Sequence, residues 1–360
     1  MRFVEMTSTE LSEARVLGFD LLRGLCALIV ATYHMLYWTK TAHFYSWGLY
    51  GVYIFFVLSG ASLVVAYRAR FQHGLPLPRF IFLRYSRLFP LYFSVLLLYA
   101  LYAMHGGRFD SNYAIKVLLN ATFLFGLANP GDTSLVGGGW SLGIEFVFYL
   151  VFPLLLALAF SSQYRLVAML LLVAQMTFVN LVLSGQDLMT QWVAYTQPLS
   201  FIAYFFFGCL VGRYYLEGKI RKSGLHLVGF IAFLGALLAV SGTSYTDVLV
   251  GYTGVLLTLA AIGSTYFASG LIINGTMKHV ARVLGDLSYG LYLLHPVVWT
   301  VFARAFEGMN TAILIAISIL ASSVLALLID RYIERPFRAL AKRKTLPLAE
   351  NRAPVGSPLT

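Results

Sequence analysis

The sequence predicts an all-α fold, a polytopic membrane helix bundle of about ten transmembrane helices with one further re-entrant or interfacial helix at 114–127. Three observations favour it. The 360 residues are 59% hydrophobic and only 11% charged, whereas a soluble domain has about 25% charged residues. Apolar stretches recur along the chain at the length of about 18 residues or more that a helix needs to cross a bilayer. Basic residues collect in a few of the intervening loops, as is typical of the cytoplasmic side.

Ten apolar segments account for the predicted transmembrane helices. They run at 19–38, 47–67, 86–104, 139–160, 166–184, 197–216, 227–242, 248–270, 283–303 and 312–332. The shorter segment 114–127 would reach about 21 Å as a helix, less than the hydrocarbon core of about 30 Å. We therefore expect it to be re-entrant or to lie at the outer interface, which is tolerated where a segment lines a cavity.

The positions of Lys and Arg predict the orientation of the bundle. If 114–127 does not cross, four spans separate the basic loops 68–87 and 213–222, so both loops face one side. The basic loop 278–282 and the basic tail from Arg331 then face that side too. The positive-inside rule makes it the cytoplasmic side and places both termini there.

A single membrane domain is predicted at 19–340. A mixed-charge cytoplasmic segment, 1–18, precedes it without the features of a cleavable signal peptide, and a disordered cytoplasmic tail, 341–360, follows it. The net charge of +11 would suggest a nucleic-acid partner in a soluble protein. Here we attribute it to cytoplasmic loops, so the expected partner is the lipid bilayer and no nucleic acid. Cys26 and Cys209 lack metal-ligand spacing, and no metal site is predicted.

Arg23 and His34 are the first candidate functional residues. Both lie inside the apolar segment 19–38, where an ionisable side chain is costly and suggests a functional site. Eleven residues are close to three helical turns, so both side chains share one face, about 16 Å apart along the helix. A neutral imidazole is well suited to remove a proton from an alcohol near neutral pH. The alternative for His34 is a hydrogen-bonded structural residue.

Two further motifs have both a structural and a functional interpretation. Ser59-Gly60 in the second span is either a close-packing notch or an opening for a ligand, and packing is favoured unless the notch faces His34. Arg84 and Arg87 share a face at the start of the third span. Paired guanidiniums there suit phosphate groups, because Arg binds phosphate oxygens bidentately. The alternative is ordinary positive-inside charge.

The remaining candidates lie near the predicted outer face. Glu145 follows the tight Gly137-Gly138-Gly139 turn and is expected about one helical turn inside the membrane from the outer face. A carboxylate at this depth needs a partner, either a histidine at the same depth or an arginine that it neutralises. His295, in the ninth span, is expected at a depth similar to that of His34, and Pro296 beside it favours a kink.

Six motifs occur in a fixed order and together resemble the acyltransferase 3 family of integral membrane O-acyltransferases. They are Phe-Asp-Leu-Leu-Arg-Gly at 19–24 with Tyr33-His34, Phe-Phe-Val-Leu-Ser-Gly at 55–60, Arg-x-x-Arg-x-x-Pro at 84–90, Trp-Ser-Leu-x-x-Glu at 140–145, Ser-Tyr-Gly-Leu-Tyr-Leu-Leu-His-Pro at 288–296, and Ile-Glu-Arg-Pro-Phe at 333–337. The resemblance covers residues 17–340. It is greatest to standalone members that O-acetylate exopolysaccharides or lipochitooligosaccharides.

The resemblance implies transfer of an acyl group, by family frequency acetyl, from cytoplasmic acyl-CoA to a carbohydrate or glycolipid hydroxyl in the bacterial inner membrane. Acyl-CoA, with acetyl-CoA expected, is then a co-substrate, and no cofactor is permanently bound. The implied roles are catalysis by His34 with Glu145 orienting it, and donor binding by Arg23, Arg84 and Arg87. Further residues implied to line the site are Ser59, Gly60, Trp140, Ser141, Tyr289 and His295. Polysaccharide-assembly proteins or a second copy of the chain are the expected protein partners.

Two other functions remain open from the residues alone. A proton-coupled transporter or flippase would use His34, His295 and Glu145 as a path through the membrane. Many transporters contain internal repeats, and none is evident in this sequence, which weakens the transporter hypothesis. A non-catalytic partner of a polysaccharide synthase would leave the histidines and the carboxylate unexplained.

Overall fold

The computed structural model describes residues 15–240 and 244–345, with side chains described to residue 341. All regular structure in these residues is helical, which confirms the all-α fold. The helices are α1 (Leu17–Trp38), α2 (Tyr45–Gln72), α3 (Leu77–His105), α4 (Ser111–Ala121), α5 (Trp140–Ala159), α6 (Tyr164–Leu183), α7 (Ile202–Leu216), α8 (Gly224–Ala239), α9 (Gly251–Ser269), α10 (Thr276–Ala305), α11 (Thr311–Ile329) and α12 (Arg335–Thr345). A π-helical turn, Asp330–Glu334, joins the last two.

The long helices of the described chain coincide one for one with the ten predicted apolar segments. Seven of them are long and apolar enough to cross a membrane, and α7 and α8 are shorter apolar helices. Helix α10 has 30 residues and carries Lys278, Arg282, Asp286 and Arg304 towards its two ends. The protein is therefore a multi-pass membrane protein.

Segment 114–127 is not one helix, which corrects the predicted element. Helix α4 has 11 residues and ends at Ala121, and Leu124–Leu127 forms a separate 3-10 turn. Phe123 between them has φ 59°, a left-handed conformation that is uncommon for a bulky residue. Its ring is fully buried, so packing holds the break in place. At about 16 Å, from the rise of about 1.5 Å per residue, α4 is too short to cross a bilayer.

The connection 122–139 folds into the bundle before α5 begins. Phe123 and Phe125 are fully buried. Gly126 lies so close to the backbone of Gly143 that an added Cβ would overlap its carbonyl. The first turn of helix α5 therefore packs directly against the buried part of this connection.

Small residues allow close contact between the central helices. Gly24 of α1 packs against Leu284 of α10, and Gly60 of α2 packs against the backbone of Phe205 in α7. This is the usual role of glycine between membrane helices. Gly60 thus supports the packing interpretation, because it faces α7 and does not line the inner cavity described below.

Arginines and carboxylates form ion pairs at one end of the bundle, which we call the basic end. The basic end carries Arg15, Arg70, Arg213, Arg282 and Arg335. We call the other end of the helix bundle the opposite end. Asp286 accepts hydrogen bonds from Arg15 at 2.7 Å and from Arg335 at 2.8 Å. Arg338 bonds Asp330 at 2.6 Å. These ion pairs connect the start of α1, α10 and α12.

The predicted terminal segments fall largely outside the described residues. Residues 1–14 and 346–360 are not described. Helix α12 continues to Thr345, so the expected boundary at residue 340 lies within a helix rather than at the start of a disordered tail.

Candidate active site

An inner cavity of about 80 Å³ lies between α1, α2, α3, α5 and α10. Several predicted site residues from separate parts of the sequence meet there: Arg23, Ser59, Arg84, Arg87, Ser141, Glu145 and Tyr289. Sequence reasoning missed other polar residues that line the same cavity: Ser62, Tyr149, Ser288 and Tyr292. Of these, Tyr149 follows Glu145 by four residues, so the helical spacing could have identified it.

Glu145 is held by two hydroxyl groups. Ser59 Oγ donates to Glu145 Oε1 at 2.6 Å, and Tyr149 Oη donates to the same oxygen at 2.5 Å. The second oxygen, Oε2, makes no hydrogen bond to a described residue. Since Glu145 lines the inner cavity, this oxygen is the one available to a bound molecule.

Arg84 completes this cluster from α3. Its guanidinium donates to Tyr149 Oη at 2.9 Å and lies 4.7 Å from the centre of that ring. The side chain is only 8% exposed, and its Nε is buried without a partner. Arg87 lines the same cavity but makes no hydrogen bond or ion pair to any residue that the structure describes. In the predicted arginine pair, the guanidinium of Arg84 is therefore hydrogen-bonded to another side chain and that of Arg87 is not, among the residues described.

An outer cavity of about 410 Å³ opens at the basic end. It shares Arg23, Ser62, Arg84, Arg87 and Tyr289 with the inner cavity, so the two are contiguous. Further cations line the outer cavity, namely Arg15, Arg70 and Arg338. Carboxylates line it too, namely Asp20, Asp286, Asp330 and Glu334.

Arg23 lies where the two cavities join. It donates to Ser62 Oγ at 3.0 Å and pairs more loosely with Asp20 at 3.5 Å. Its side chain is thus held by α1 and α2 yet faces both cavities. Tyr289, on α10, donates to the carbonyl of Leu88 at 2.6 Å, which fixes α10 against α3 on the other side.

His34 and His295 form a directly bonded pair beyond the inner cavity. Nδ1 of His34 lies 3.0 Å from Nε2 of His295. His295 is 1% exposed, whereas His34 is partly exposed. Trp38, one turn after His34, lies nearly parallel to its ring, 5.3 Å away between centroids, and is 40% exposed. The expectation that the two histidines share one depth is met by this contact.

Tyr292 separates the histidine pair from the inner cavity. It lines the cavity, and its ring centroid lies 6.3 Å from that of His295. Its hydroxyl donates to the carbonyl of Gly138 at 2.8 Å and lies 3.0 Å from Ser141 Oγ. The inward fold of 122–139 therefore closes this end of the cavity.

The expected contact between Glu145 and His34 is not formed among the described residues. Glu145 bonds Ser59 and Tyr149, and His34 bonds His295. The two residues therefore have separate partners in the described structure. Glu145 instead lies in one cavity with Arg23.

Trp140 also differs from its expected position. Its ring packs edge-on against Trp192 at 5.2 Å and lies 5.4 Å from Phe201. It lies outside the inner-cavity lining and contributes to the packing of α5 against the segment before α7.

Comparison with known proteins identifies the family of the chain. Residues 16–331 match the family model of the acyltransferase 3 domain, described as an acyltransferase domain. The chain is 26% identical to the exopolysaccharide production protein ExoZ of Rhizobium meliloti, over 87% of this chain and 98% of that protein. It is also 26% identical to the peptidoglycan O-acetyltransferase OatA of Listeria monocytogenes, over 92% of this chain and 57% of OatA. No solved structure matches the chain significantly.

The family match covers far more than half of the chain and includes every candidate residue discussed above. The chain spans about half the length of OatA and almost all of ExoZ. The apolar helices and the cavity between them agree with a membrane enzyme. The chain belongs to the acyltransferase 3 family and is a membrane acyltransferase.

Proposed function

We propose that this protein transfers an acetyl group from acetyl-CoA to a hydroxyl of a carbohydrate or glycolipid, with His34 as the catalytic base. The observation that carries the proposal is the position of the histidine pair. It lies just beyond the end of a continuous, arginine-lined cavity that opens at the basic end.

Support for the donor comes from the charge of the outer cavity. Coenzyme A carries several phosphate charges, and guanidinium groups bind phosphate in bidentate geometry. The guanidiniums of Arg70 and Arg87 line this cavity and make no hydrogen bond or ion pair to a described residue, although that of Arg70 lies 5.2 Å from the centre of the Tyr67 ring. They are the donor-phosphate ligands that we propose, with Arg23 beside them where the cavities join. The basic end is then the cytoplasmic face of the bacterial inner membrane, as the positive-inside rule favours.

The small inner cavity supports a short acyl group. Its volume of about 80 Å³ is room for only a few water molecules, since each needs at least about 10–15 Å³ by this measure. An acetyl thioester fits such a space, and a long acyl chain does not. Glu145 Oε2 and the hydroxyls of Ser59 and Ser288 supply polar contacts for the donor there.

The proposed reaction is an acyl exchange between thioester and alcohol. For the acyl group to reach the histidine pair, the Tyr292 side chain that closes the inner cavity moves aside. The acceptor hydroxyl reaches His34 from the opposite end. His34 takes the hydroxyl proton as the oxygen attacks the thioester carbonyl. The carbon–sulfur bond then breaks, and the proton passes to the coenzyme A thiolate. A new ester and free coenzyme A result, with no redox step.

The acceptor class follows from the relatives. ExoZ is named for exopolysaccharide production and OatA for O-acetylation of peptidoglycan. We propose an extracellular polysaccharide or its lipid-linked precursor as the acceptor. Polysaccharide-assembly proteins are the partners expected to present it.

The test is acetyl transfer by the purified protein in liposomes. Release of coenzyme A and acetylation of isolated surface glycans would be measured for wild type, His34→Ala and His73→Ala. We expect His34→Ala to lose transfer while His73→Ala, at the exposed end of α2, keeps it. Wild-type turnover by a folded His34→Ala protein would exclude His34 as the base. Glycan movement without coenzyme A release would favour a transporter instead.

A further inference from the structure

The two histidine rings meet edge to edge. Their planes are inclined by 14° and their centroids are 5.1 Å apart, close to the 3.0 Å N–N distance plus the two ring radii. The bonded nitrogens therefore lie nearly on the line between the centroids. This is the geometry of an in-plane N–H···N hydrogen bond, with the lone pair of one ring facing the proton of the other.

The second nitrogen of His295 decides the direction of that bond. His295 Nδ1 lies 3.0 Å from the carbonyl oxygen of Leu291, and a carbonyl oxygen only accepts. Nδ1 of His295 therefore carries the proton. A neutral imidazole has one N–H, so Nε2 of His295 is an acceptor, and Nδ1 of His34 must donate to it. His34 is left with an unprotonated Nε2 that bonds no described residue.

Pro296, next to His295, frees a different carbonyl of the same turn. Because proline has no N–H, the carbonyl of Tyr292 lacks its usual helical donor. The hydrogen bond of His295 Nδ1 goes instead to the neighbouring carbonyl of Leu291, and helix α10 continues unbroken from Thr276 to Ala305.

We infer that His295 is a positioning residue that fixes the tautomer of His34, so that Nε2 of His34 is the atom that takes the acceptor proton. This rests on the proposed function, in which His34 is the base. The role resembles that of a carboxylate behind a catalytic histidine, which holds the ring in one tautomer. Here a neutral imidazole bonded to a backbone carbonyl does so. When His34 gains a proton, its Nδ1–H still has the lone pair of His295 Nε2 to donate to.

The first test reads the tautomer without any reaction. Histidine-selective ¹⁵N labelling of the protein in liposomes gives the protonation of each ring nitrogen by NMR, and His34→Gln identifies the His34 signals. We expect Nδ1–H and bare Nε2 on His34 at neutral pH. A proton on Nε2 of His34 in the wild type would overturn the inference, whatever the activity.

The second test varies the acceptor that His295 offers. His295→Gln retains an acceptor oxygen near the position of Nε2, whereas His295→Leu retains the volume without one. We expect kcat of His295→Leu to fall on the order of 100-fold with little change in donor KM. His295→Gln should stay within about tenfold of the wild type, the worth of one hydrogen bond. His279→Leu, on an exposed turn of the same helix, is the matched control.

The two measurements separate the possible failures. If His295→Leu keeps wild-type kcat, or if Gln and Leu are equally inactive while the His34 tautomer is unchanged, His295 does not act through the tautomer. If His295→Leu fails to fold, the wild-type spectrum and the Gln variant still decide. Activity of His34→Ala would instead remove the proposed base and leave the tautomer result standing.

Discussion

The guanidinium of Arg84 donates a 2.9 Å hydrogen bond to the hydroxyl of Tyr149. Tyr149 in turn donates to Glu145, so a cation, a phenol and a carboxylate form one chain inside the membrane domain. A charged side chain in such a place is costly unless it is paired. The guanidinium of Arg84 is therefore already hydrogen-bonded within this network. Arg87 is the member of the pair that is free to bind a donor phosphate under the proposed function.

The first prediction separates the two arginines kinetically. Arg87→Ala should raise the KM for acetyl-CoA by about 10- to 100-fold, since a hydrogen bond to a charged group is worth about 1.5–3 kcal/mol. Arg84→Lys should instead lower kcat and thermal stability, because Lys lacks the planar fork that reaches Tyr149. Donor titrations and detergent melting curves measure both. Arg79→Ala, on the same helix but outside both cavities, is the control, and equal KM effects of the two variants would contradict the division.

The second prediction concerns the bond between Tyr149 and Glu145. Tyr149→Phe leaves Arg84 without its acceptor, and Glu145→Gln removes the negative charge that the hydroxyls hold. Each should destabilise the protein by about 1–3 kcal/mol, because Phe leaves a buried donor of Arg84 unpaired and Gln replaces charge-assisted hydrogen bonds with weaker neutral ones. The double variant should lose less than the sum, because both changes break one network. Stability of the two single variants and the double variant measures this, and strict additivity would mean that the residues act independently.

The sequence was sufficient to predict the long helices and most of the polar residues around the inner cavity. Segment length locates the long helices, because a helix needs about 20 apolar residues to cross the hydrocarbon core of a bilayer and must satisfy its backbone hydrogen bonds internally there. The apolar segment correctly put Arg23 and His34 on one helix, and α1 and α10 bring His34 to His295 as their shared direction predicts.

The errors have one main physical origin, the inward fold of 122–139. No periodic signal marks a loop held by buried rings such as Phe123 and Phe125. The sequence therefore predicts a histidine or an arginine as the partner of Glu145, whereas in the structure its hydrogen-bond partners are Ser59 and Tyr149. The spacing of Arg84 and Arg87 likewise could not show that only one of them has a phenol beside it.

The third prediction tests the packing of Gly60. A Cβ at this position would collide with the carbonyl of Phe205, so Gly60→Ala must separate α2 from α7. We expect a loss of about 1–3 kcal/mol in the free energy of unfolding, as for other overpacked cores. Gly235→Ala is the matched control, since its Cβ meets open space in helix α8. Equal melting temperatures for the two variants would show that α2 and α7 adjust freely.

The fourth prediction concerns the acyl group that the inner cavity accepts. Leu142 lines this cavity and is 6% exposed, so Leu142→Ala enlarges the space beside Ser141. Propionyl-CoA and butyryl-CoA should then gain relative to acetyl-CoA, because one methylene in an apolar pocket is worth about 1–3 kcal/mol, or about 10- to 200-fold in specificity. The ratio of kcat/KM values for the three donors measures the effect.

Leu154→Ala is the matched control for this change. It removes the same atoms from the same helix, but Leu154 is 60% exposed on the surface of the bundle, where lipid replaces the lost contacts. We expect its donor preference to equal that of the wild type. If both variants keep a strict preference for acetyl-CoA, the acyl group does not occupy the inner cavity during selection. If both lose it equally, the preference depends on the stability of the bundle and not on the volume beside Ser141.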